Sequence, residues 1–334
     1  EGWYWYSSDI KVPTLWDAVH NNGKVVASLD WPVSVDNPSI DYDVPEYWRA
    51  FQPDDLKVIH ALTTRGLPEQ LEKTTGMPMS TMFAETPASD LARAKFAAAL
   101  YAQVKPEFMT VHLVSIDGNQ HEYGPDTVQA HEAIETVDTA VGNLVAAARK
   151  VSPDVVVAIV SDHGFAPVEH DVNLMVPFIE AGLVTLDPTT HKIIDWKAEP
   201  WDAGGSEAVV LKDPNDAATK KQVADLLHKL AADPANGIAQ VLDKPPVSKM
   251  GGDVQASFWV DFKLGYEGGR QLVSAMVTAG SIKGTHGYFP THPEMRAAFM
   301  IDGPGIPKGK ALGEIDMRAI APTLAKVLGV SLPN

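Results

Sequence analysis

The chain has 334 residues, a formal net charge of −16 and no cysteine. This acidic balance argues against a general nucleic-acid surface, which relies on clustered Lys and Arg. The lack of cysteine excludes disulfides and thiolate metal sites, so a bound metal would have to be held by imidazole and carboxylate groups. The sequence contains no apolar run of about 18 uncharged residues and no basic leader followed by an apolar stretch, so neither a membrane span nor a signal peptide is predicted.

The length lies at the upper edge of single-domain size and predicts one elaborated domain over residues 1–334. A helix-like stretch over residues 12–20 precedes a short buried strand over residues 24–29. Helical patterns follow over residues 54–62 and 87–104. This alternation of helix and strand is typical of an α/β protein.

Two continuous β-branched runs come next, residues 108–116 and 155–160. Strands that are buried on both faces have this pattern, so both runs are predicted to be central parallel strands. Between them, from Val128 to Ala148, apolar residues recur at three- and four-residue spacing, which predicts a helix that crosses over the sheet. Together the three elements form a predicted βαβ unit.

Residues 168–269 break this rhythm, because pairs of Gly and Pro mark frequent turns between short strands, with one helix predicted over residues 215–232. We expect an inserted α+β lobe in this range. The main sheet is predicted to resume near residues 295–301 and to be followed by a closing helix over residues 318–328, which Gly329 ends. The predicted fold is therefore α/β, with a mostly parallel central sheet, helices on both of its faces and an inserted lobe.

Asp and His side chains follow both predicted central strands. Asp117 is expected at the end of the first strand, with His121 four residues later, and Asp162 and His163 come directly after the second. Parallel topology brings the ends of both strands to one edge of the sheet, where open α/β sheets bind ligands, so we expect the two pairs to converge. Taken singly, Asp162 is equally suited to cap a turn and His163 to pack beneath a loop.

The third candidate is His286, which lies between glycines in the run Gly284-Thr285-His286-Gly287. Small neighbours let the backbone approach a bound ion closely. Five nitrogen and oxygen ligands are too many for one tetrahedral zinc ion, and the set fits two ions about 4 Å apart. A single iron(II) site with two His and one carboxylate is the alternative, and it leaves the other Asp/His pair unexplained. His292 follows closely enough to support a ligand from outside the site.

Three motifs in this order resemble those of the alkaline phosphatase superfamily: Asp117-Gly-Asn-Gln-His121, Ser-Asp162-His163-Gly and Gly-Thr-His286-Gly-Tyr. The branch that they resemble most is the type I phosphodiesterase/nucleotide pyrophosphatase family, to which Trp31-Pro32 after a short strand is also similar. The resemblance covers most of the chain and implies an alkaline-phosphatase-like fold.

The resemblance also implies the distribution of the ligands. One ion is assigned to Asp117, His121 and His286 and the other to Asp162 and His163, the ions being zinc, with manganese as an alternative. In that family another Asp at the end of the first strand completes the second site, and a Thr or Ser nucleophile begins a helix beyond it. Neither is visible in this sequence, so both are expected upstream of this chain, and the chain alone is expected to be nearly inactive.

The function implied by the resemblance is metal-dependent hydrolysis of phosphodiester or nucleotide pyrophosphate bonds through a covalent phospho-enzyme. The expected substrate is a small phosphate ester, with a nucleotide as one candidate. A phosphomonoesterase or a phosphonate hydrolase is the alternative within the superfamily, and an inactive metal-binding module is the alternative from another class. The resemblance suggests a periplasmic or secreted location, and the sequence leaves the oligomeric state open.

Overall fold

The structure is a computed structural model that describes residues 4–47 and 54–332. Its helices in the described part range from one and a half turns to almost seven turns in length. They are α1 (Leu15–His20), α2 (Asp55–Leu62), α3 (Leu67–Thr75), α4 (Pro87–Val104), α5 (Ser115–Tyr123), α6 (Val128–Val151), α7 (Met175–Glu180), α8 (Ala217–Ala231), α9 (Lys244–Lys249) and α10 (Ile320–Leu328).

The strands of the described part are short, none longer than seven residues. They are β1 (Val26–Leu29), β2 (Tyr42–Val44), β3 (Phe108–Val111), β4 (Val157–Val160), β5 (Ala166–Val172), β6 (Val184–Leu186), β7 (Ile193–Trp196), β8 (Ala198–Asp202), β9 (Ser206–Leu211), β10 (Ile238–Asp243), β11 (Ala256–Phe262), β12 (Gly265–Gly268), β13 (Val277–Ala279), β14 (Gly284–Thr285) and β15 (Phe299–Asp302).

The chain divides into two compact units, each with its own hydrophobic core. Unit one consists of Glu1–Gly118, Glu132–Ala158 and Met300–Asn334, and unit two consists of Asn119–His131 and Ile159–Phe299. The boundaries predicted for an inserted lobe, residues 168–269, lie within the second range of unit two and stay a prediction.

Unit one is built on a three-stranded sheet with the order β2-β1-β3, and both of its pairings are parallel. All four residues of β1 are buried. Helix α4 begins where the Thr86 hydroxyl accepts a hydrogen bond from the Ser89 backbone N–H and ends at Lys105, whose backbone is left-handed. Its Phe96 and Leu100 are fully buried in one core with Leu29 of β1. The predicted α/β fold with a parallel core sheet is thereby confirmed.

The strand predicted over residues 108–116 is wrong in its second half. Strand β3 ends at Val111, and α5 begins at Ser115, so Asp117 lies in the first turn of a helix and not at a strand end. The buried carboxylate of Asp90 explains the change, because it accepts hydrogen bonds from the backbone N–H groups of Val114 (3.1 Å) and Ser115 (2.9 Å). A carboxylate at this position stabilises a helix start.

The second predicted central strand forms, but its partner strand and its burial differ from the prediction. Strand β4 forms over residues 157–160 as expected, but its recorded partner is β15 in a two-stranded sheet, whereas β3 pairs with β1. Val160 is 40% exposed, so β4 is not buried on both faces. Helix α6 does connect β3 and β4 along the chain, although the expected pairing of both strands in one sheet is absent from the described pairings.

Unit two contains a four-stranded antiparallel sheet with the order β10-β11-β9-β8. Strands β8 and β9 form a hairpin, and its tight turn is closed by a hydrogen bond from the Ala203 N–H to the Ser206 carbonyl (3.0 Å). Strand β5 pairs with β12, β13 and β14, and β14 leads to the loop that contains His286. These two groups of strands position the candidate site.

The helices predicted over residues 87–104, 128–148, 215–232 and 318–328 are present as α4, α6, α8 and α10, with small shifts at their ends. Gly329 ends α10 in the left-handed conformation, with a φ of 68°. None of the helices in the described residues has the length and apolar character needed to span a membrane.

Two glutamates of unit two are buried beside other carboxyl groups. Glu267 is 5% exposed and Glu207 is 2% exposed. Burial, followed by the charge of Asp171, raises the pKa of Glu267 to about 8. Burial, followed by the charge of Asp202, raises the pKa of Glu207 well above its ordinary value. The Glu267 side chain is therefore mostly protonated in the folded protein at neutral pH.

The contribution of Glu267 to stability is expected to decrease as the pH rises from 4.5 to about 8. In this window the unfolded chain has released the proton while the folded chain still holds it, so ionisation favours unfolding. Glu267→Gln stays neutral and should flatten the slope of unfolding free energy against pH, whereas Glu180→Gln, at an exposed position of α7, should not. Urea unfolding at a series of pH values tests this, and an unchanged slope in Glu267→Gln would contradict it.

Candidate metal centre

Helix α5 carries two of the predicted ligands, Asp117 in its first turn and His121 in its last. Residues four apart lie on the same face of a helix, so both side chains project from one side of α5. The Nδ1 atom of His121 lies 2.9 Å from the Gly284 carbonyl oxygen. Because a carbonyl only accepts, Nδ1 carries the proton in the neutral ring, and Nε2 keeps the lone pair that a metal ion needs.

Asp162 and His163 directly follow β4. The His163 backbone N–H donates to Oδ1 of Asp162 (3.1 Å), and Nδ1 of His163 lies 3.0 Å from the Gly164 carbonyl oxygen. The remaining ring nitrogen, Nε2, lies 3.3 Å from Oδ2 of Asp162. A nitrogen and an oxygen at this separation are suited to bind the same cation. The Asp162 side chain is 81% exposed, so small molecules in solution can reach it.

His286 follows the short strand β14 and brings its ring to the other histidines. The rings of His163 and His286 are stacked, with centroids 3.7 Å apart and planes 15° apart. The centroids of His121 and His286 are 5.1 Å apart. One potential ligand nitrogen of His163 and one of His286 lie within 4.8 Å of each other, in a group of His and Asp side chains with the geometry to hold a metal ion.

The electrostatics of this cluster favour the uncharged form of the His286 ring. Burial, followed by the charges of His163 and His121, lowers the pKa of His286 to about 4, while Asp162 acts in the opposite direction. The His286 ring is therefore neutral at physiological pH, which is the form of imidazole that binds metal ions. Neutral imidazoles beside a carboxylate form a donor set that suits zinc and manganese.

The structure thus brings His121, Asp162, His163 and His286 together within unit two. Asp117 lies one helical turn before His121 and belongs to unit one, whose first segment ends at Gly118. The assignment of all five residues as ligands stays a prediction. The donor chemistry fits a divalent cation, because imidazole nitrogens and carboxylate oxygens are typical ligands and two of the three histidines have one ring nitrogen fixed by a carbonyl oxygen.

Phe165 is part of the site and was not predicted from the sequence. Its ring contacts three histidines, with centroid distances of 4.8 Å to His121, 5.4 Å to His286 and 6.0 Å to His163. An apolar ring at this position lowers the local dielectric and limits the rotation of the imidazoles. The only sequence signal was its place directly after the Ser-Asp-His-Gly motif.

His292, expected to support a ligand from outside the site, contacts Asp261. Its Nε2 atom lies 2.9 Å from Oδ2 of Asp261, a side chain that is fully buried. The other carboxylate oxygen of Asp261 accepts a hydrogen bond from the Phe289 backbone N–H (3.0 Å). The pair therefore holds the chain that follows His286.

Comparison with known protein sequences gives two findings. The sequence profile of the family described as type I phosphodiesterase / nucleotide pyrophosphatase matches residues 1–288. No curated protein sequence matches the chain.

Among solved structures, human ectonucleotide pyrophosphatase / phosphodiesterase 5 is similar, with 15% identity, a TM-score of 0.58 and coverage of 96% of this chain and 71% of that one. An inactive variant of murine ectonucleotide pyrophosphatase / phosphodiesterase 5, in complex with AMP, matches with 16% identity, a TM-score of 0.58 and the same coverage of both chains. Phosphonoacetate hydrolase from Sinorhizobium meliloti 1021, in complex with phosphonoformate, matches with 14% identity, a TM-score of 0.58 and coverage of 91% and 72%. At these identities the likeness is one of fold.

Proposed function

We propose that this chain, which belongs to the type I phosphodiesterase/nucleotide pyrophosphatase family, hydrolyses phosphodiester or nucleotide pyrophosphate bonds with the help of bound divalent metal ions. Family membership supports a phosphoric ester hydrolase of this type. The observation that carries the metal dependence is the cluster of His121, His163 and His286, in which the stacked, half-buried His286 is held neutral beside Asp162.

In this proposal Asp117, His121 and His286 hold one ion, and Asp162 and His163 take part in holding a second. Zinc is the preferred metal and manganese the alternative, since all donors are nitrogen or oxygen atoms. When bound, such ions polarise phosphoryl oxygens and neutralise the charge of the phosphate. The fixed ring nitrogens of His121 and His163 support the assignment, because each leaves Nε2 as the ligand atom.

The proposed reaction follows from the family resemblance. A Thr or Ser hydroxyl oxygen forms a bond to phosphorus while the bond from phosphorus to the leaving-group oxygen breaks, which gives a covalent phospho-enzyme. Water then hydrolyses this intermediate and releases the phosphate product. We assign the nucleophile to none of the described residues. The four clustered side chains would hold the metal ions whose positive charge binds the phosphate, and the exposed Asp162 lies at the solvent side.

Two neighbours bear on the substrate. The complex of the murine protein with AMP supports a nucleotide, and the phosphonoacetate hydrolase supports a phosphonate as the second candidate. Both are small anions, which agrees with a protein whose net charge of −16 needs local neutralisation of a phosphate group. A periplasmic or secreted location stays part of the proposal.

The test combines metal content with a comparison of substrates. Protein expressed from the complete gene should contain zinc or manganese by inductively coupled plasma mass spectrometry, and a chelator should remove both the metal and the activity. A nitrophenyl phosphodiester and a dinucleotide should be hydrolysed faster than a nitrophenyl phosphomonoester or phosphonoacetate. Protein without a transition metal would overturn the proposal. Metal binding with no turnover of any substrate would support the inactive module instead.

A further inference from the structure

Each of the four consecutive residues from His286 to Phe289 accepts a hydrogen bond from another part of unit two or donates one to it. We call residues 286–289 the ligand loop. The N–H group of Gly205 donates to the His286 carbonyl oxygen (2.7 Å), and the Ser206 hydroxyl donates to the Gly287 carbonyl oxygen (2.6 Å). Both donors belong to the β8–β9 hairpin, Gly205 in its turn and Ser206 as the first residue of β9. The carbonyl groups on and directly after His286 are therefore fixed by this hairpin.

The second half of the ligand loop is held by the neighbouring strands. The Tyr288 hydroxyl donates to the Tyr266 carbonyl oxygen (2.7 Å), on β12. The Phe289 N–H donates to Asp261, on β11 (3.0 Å). Tyr288, Phe289 and Ser206 are all at most 5% exposed, so these bonds form away from competing water.

Glycines allow the hairpin and the ligand loop to approach so closely. A Cβ atom at Gly205 would overlap the ring of Tyr288, and a Cβ at Gly204 would overlap the His286 carbonyl oxygen. Gly287 has a φ of 81°, and a Cβ there would overlap the Ala203 carbonyl oxygen. The contact is thus between two backbones, which is more rigid than a contact through long side chains.

We infer that the β8–β9 hairpin is a positioning element for the metal centre, with Ser206 as its principal positioning side chain and Tyr288 as a second. This inference rests on the proposed function, because it gives the hairpin the task of presenting the His286 ring to a metal ion. Ligands bind a metal well only when their geometry is held within about 0.5 Å. Bonds to the carbonyl groups of His286 and Gly287 restrict the backbone dihedral angles that set the direction of the ring.

A purely structural role for Ser206 would give a different result from a positioning role. Loss of one buried hydrogen bond lowers the stability of the fold wherever it occurs. Only a bond that orients His286 also alters metal affinity in protein that remains folded. Ser257, a buried serine of β11 in the same sheet, is 5% exposed and supplies the matched control.

The experiment is titration of metal-free protein with Co²⁺, followed by visible absorption, in the wild type and in Ser206→Ala, Tyr288→Phe and Ser257→Ala. We expect Ser206→Ala to weaken Co²⁺ binding about tenfold, the lower end of the effect for groups that support metal ligands, and to shift the absorption bands. Tyr288→Phe should change both in the same direction, whereas Ser257→Ala should keep the wild-type affinity and bands. Thermal unfolding of each variant establishes that it is folded at the titration temperature.

The outcomes separate the inference from the proposed function. Wild-type affinity and bands in both Ser206→Ala and Tyr288→Phe would overturn the positioning role while leaving the metal site intact. If Ser206→Ala does not fold, the result with Tyr288→Phe decides. An equal loss of affinity in Ser257→Ala would also overturn it, since the effect would then be one of general stability. A wild-type protein that binds no Co²⁺ would instead count against the proposed function.

Discussion

Replacing His286 by alanine is expected to reduce metal binding and to lower kcat/KM by more than about 100-fold, since even groups outside the ligand set cost 10- to 100-fold when they are removed. His286 stacks on His163 and lies beside His121, so its loss removes one proposed ligand and opens a gap between two others. Metal content and kcat/KM with a phosphodiester, measured on protein expressed from the complete gene, check the expectation.

His228→Ala is the matched control for this change. His228 lies at an exposed position of α8 in the same unit, and no motif in the sequence assigns it to the site. Its variant should bind metal and turn over substrate like the wild type. Full activity in His286→Ala would contradict the metal assignment, and an equal loss in His228→Ala would attribute the effect to damage elsewhere.

Arg93→Ala is expected to destabilise unit one by about 3–5 kcal/mol, the usual effect of removing one partner of a buried ion pair. Arg93 is 3% exposed and binds two carboxylates, Asp30 through Nε and Asp90 through Nη1 (2.8 Å). Burial raises the pKa of Asp30, and the guanidinium opposes that rise. Without Arg93, both carboxyl groups remain in a site that water hardly reaches. Unfolding in guanidinium chloride measures the difference in unfolding free energy between the wild type and the variant.

Arg149→Ala supplies the comparison. Arg149 pairs with Asp302 (2.5 Å) on the surface, where the two side chains are 43% and 60% exposed. Exposed pairs contribute about 0.2–1 kcal/mol. A loss in Arg93→Ala no greater than that in Arg149→Ala would show that the buried network contributes little.

Because Asp90 also accepts hydrogen bonds from the backbone N–H groups at the start of α5, the Arg93 variant should in addition destabilise the helix that bears Asp117 and His121.

Local signals allowed the sequence to predict some elements closely. Helix α4 forms over residues 87–104 as predicted, because Thr86, Pro87 and the alanine-rich pattern act within a few residues of the helix they specify. The early end of β3 was not predictable in this way. It depends on Asp90, which lies 25 residues before Ser115 in the chain and becomes a cap for α5 only after folding.

In the candidate site, too, the sequence predicted only the residues that stand in local motifs. The Asp162-His163 pair and His286 stand in short motifs, so their residue types and spacing indicated the chemistry. Phe165 contacts three histidines, but an aromatic residue after a motif has many uses, and nothing in the sequence distinguished this one. Gly204-Gly205 is one of the glycine pairs at which the sequence predicted turns, but the contact of Gly204 with His286, 82 residues later in the chain, could not be predicted from a local pattern.

The backbone-to-backbone contact between the β8–β9 hairpin and residues 286–289 has a consequence for engineering this protein. A graft that exchanges the hairpin with that of another family member replaces the surface against which the loop of His286, a proposed metal ligand, is packed. Such a chimera should retain metal only when both segments are transplanted together, as a single cassette. Loop libraries aimed at new substrates are therefore best built elsewhere, with Ala203–Ser206 kept constant.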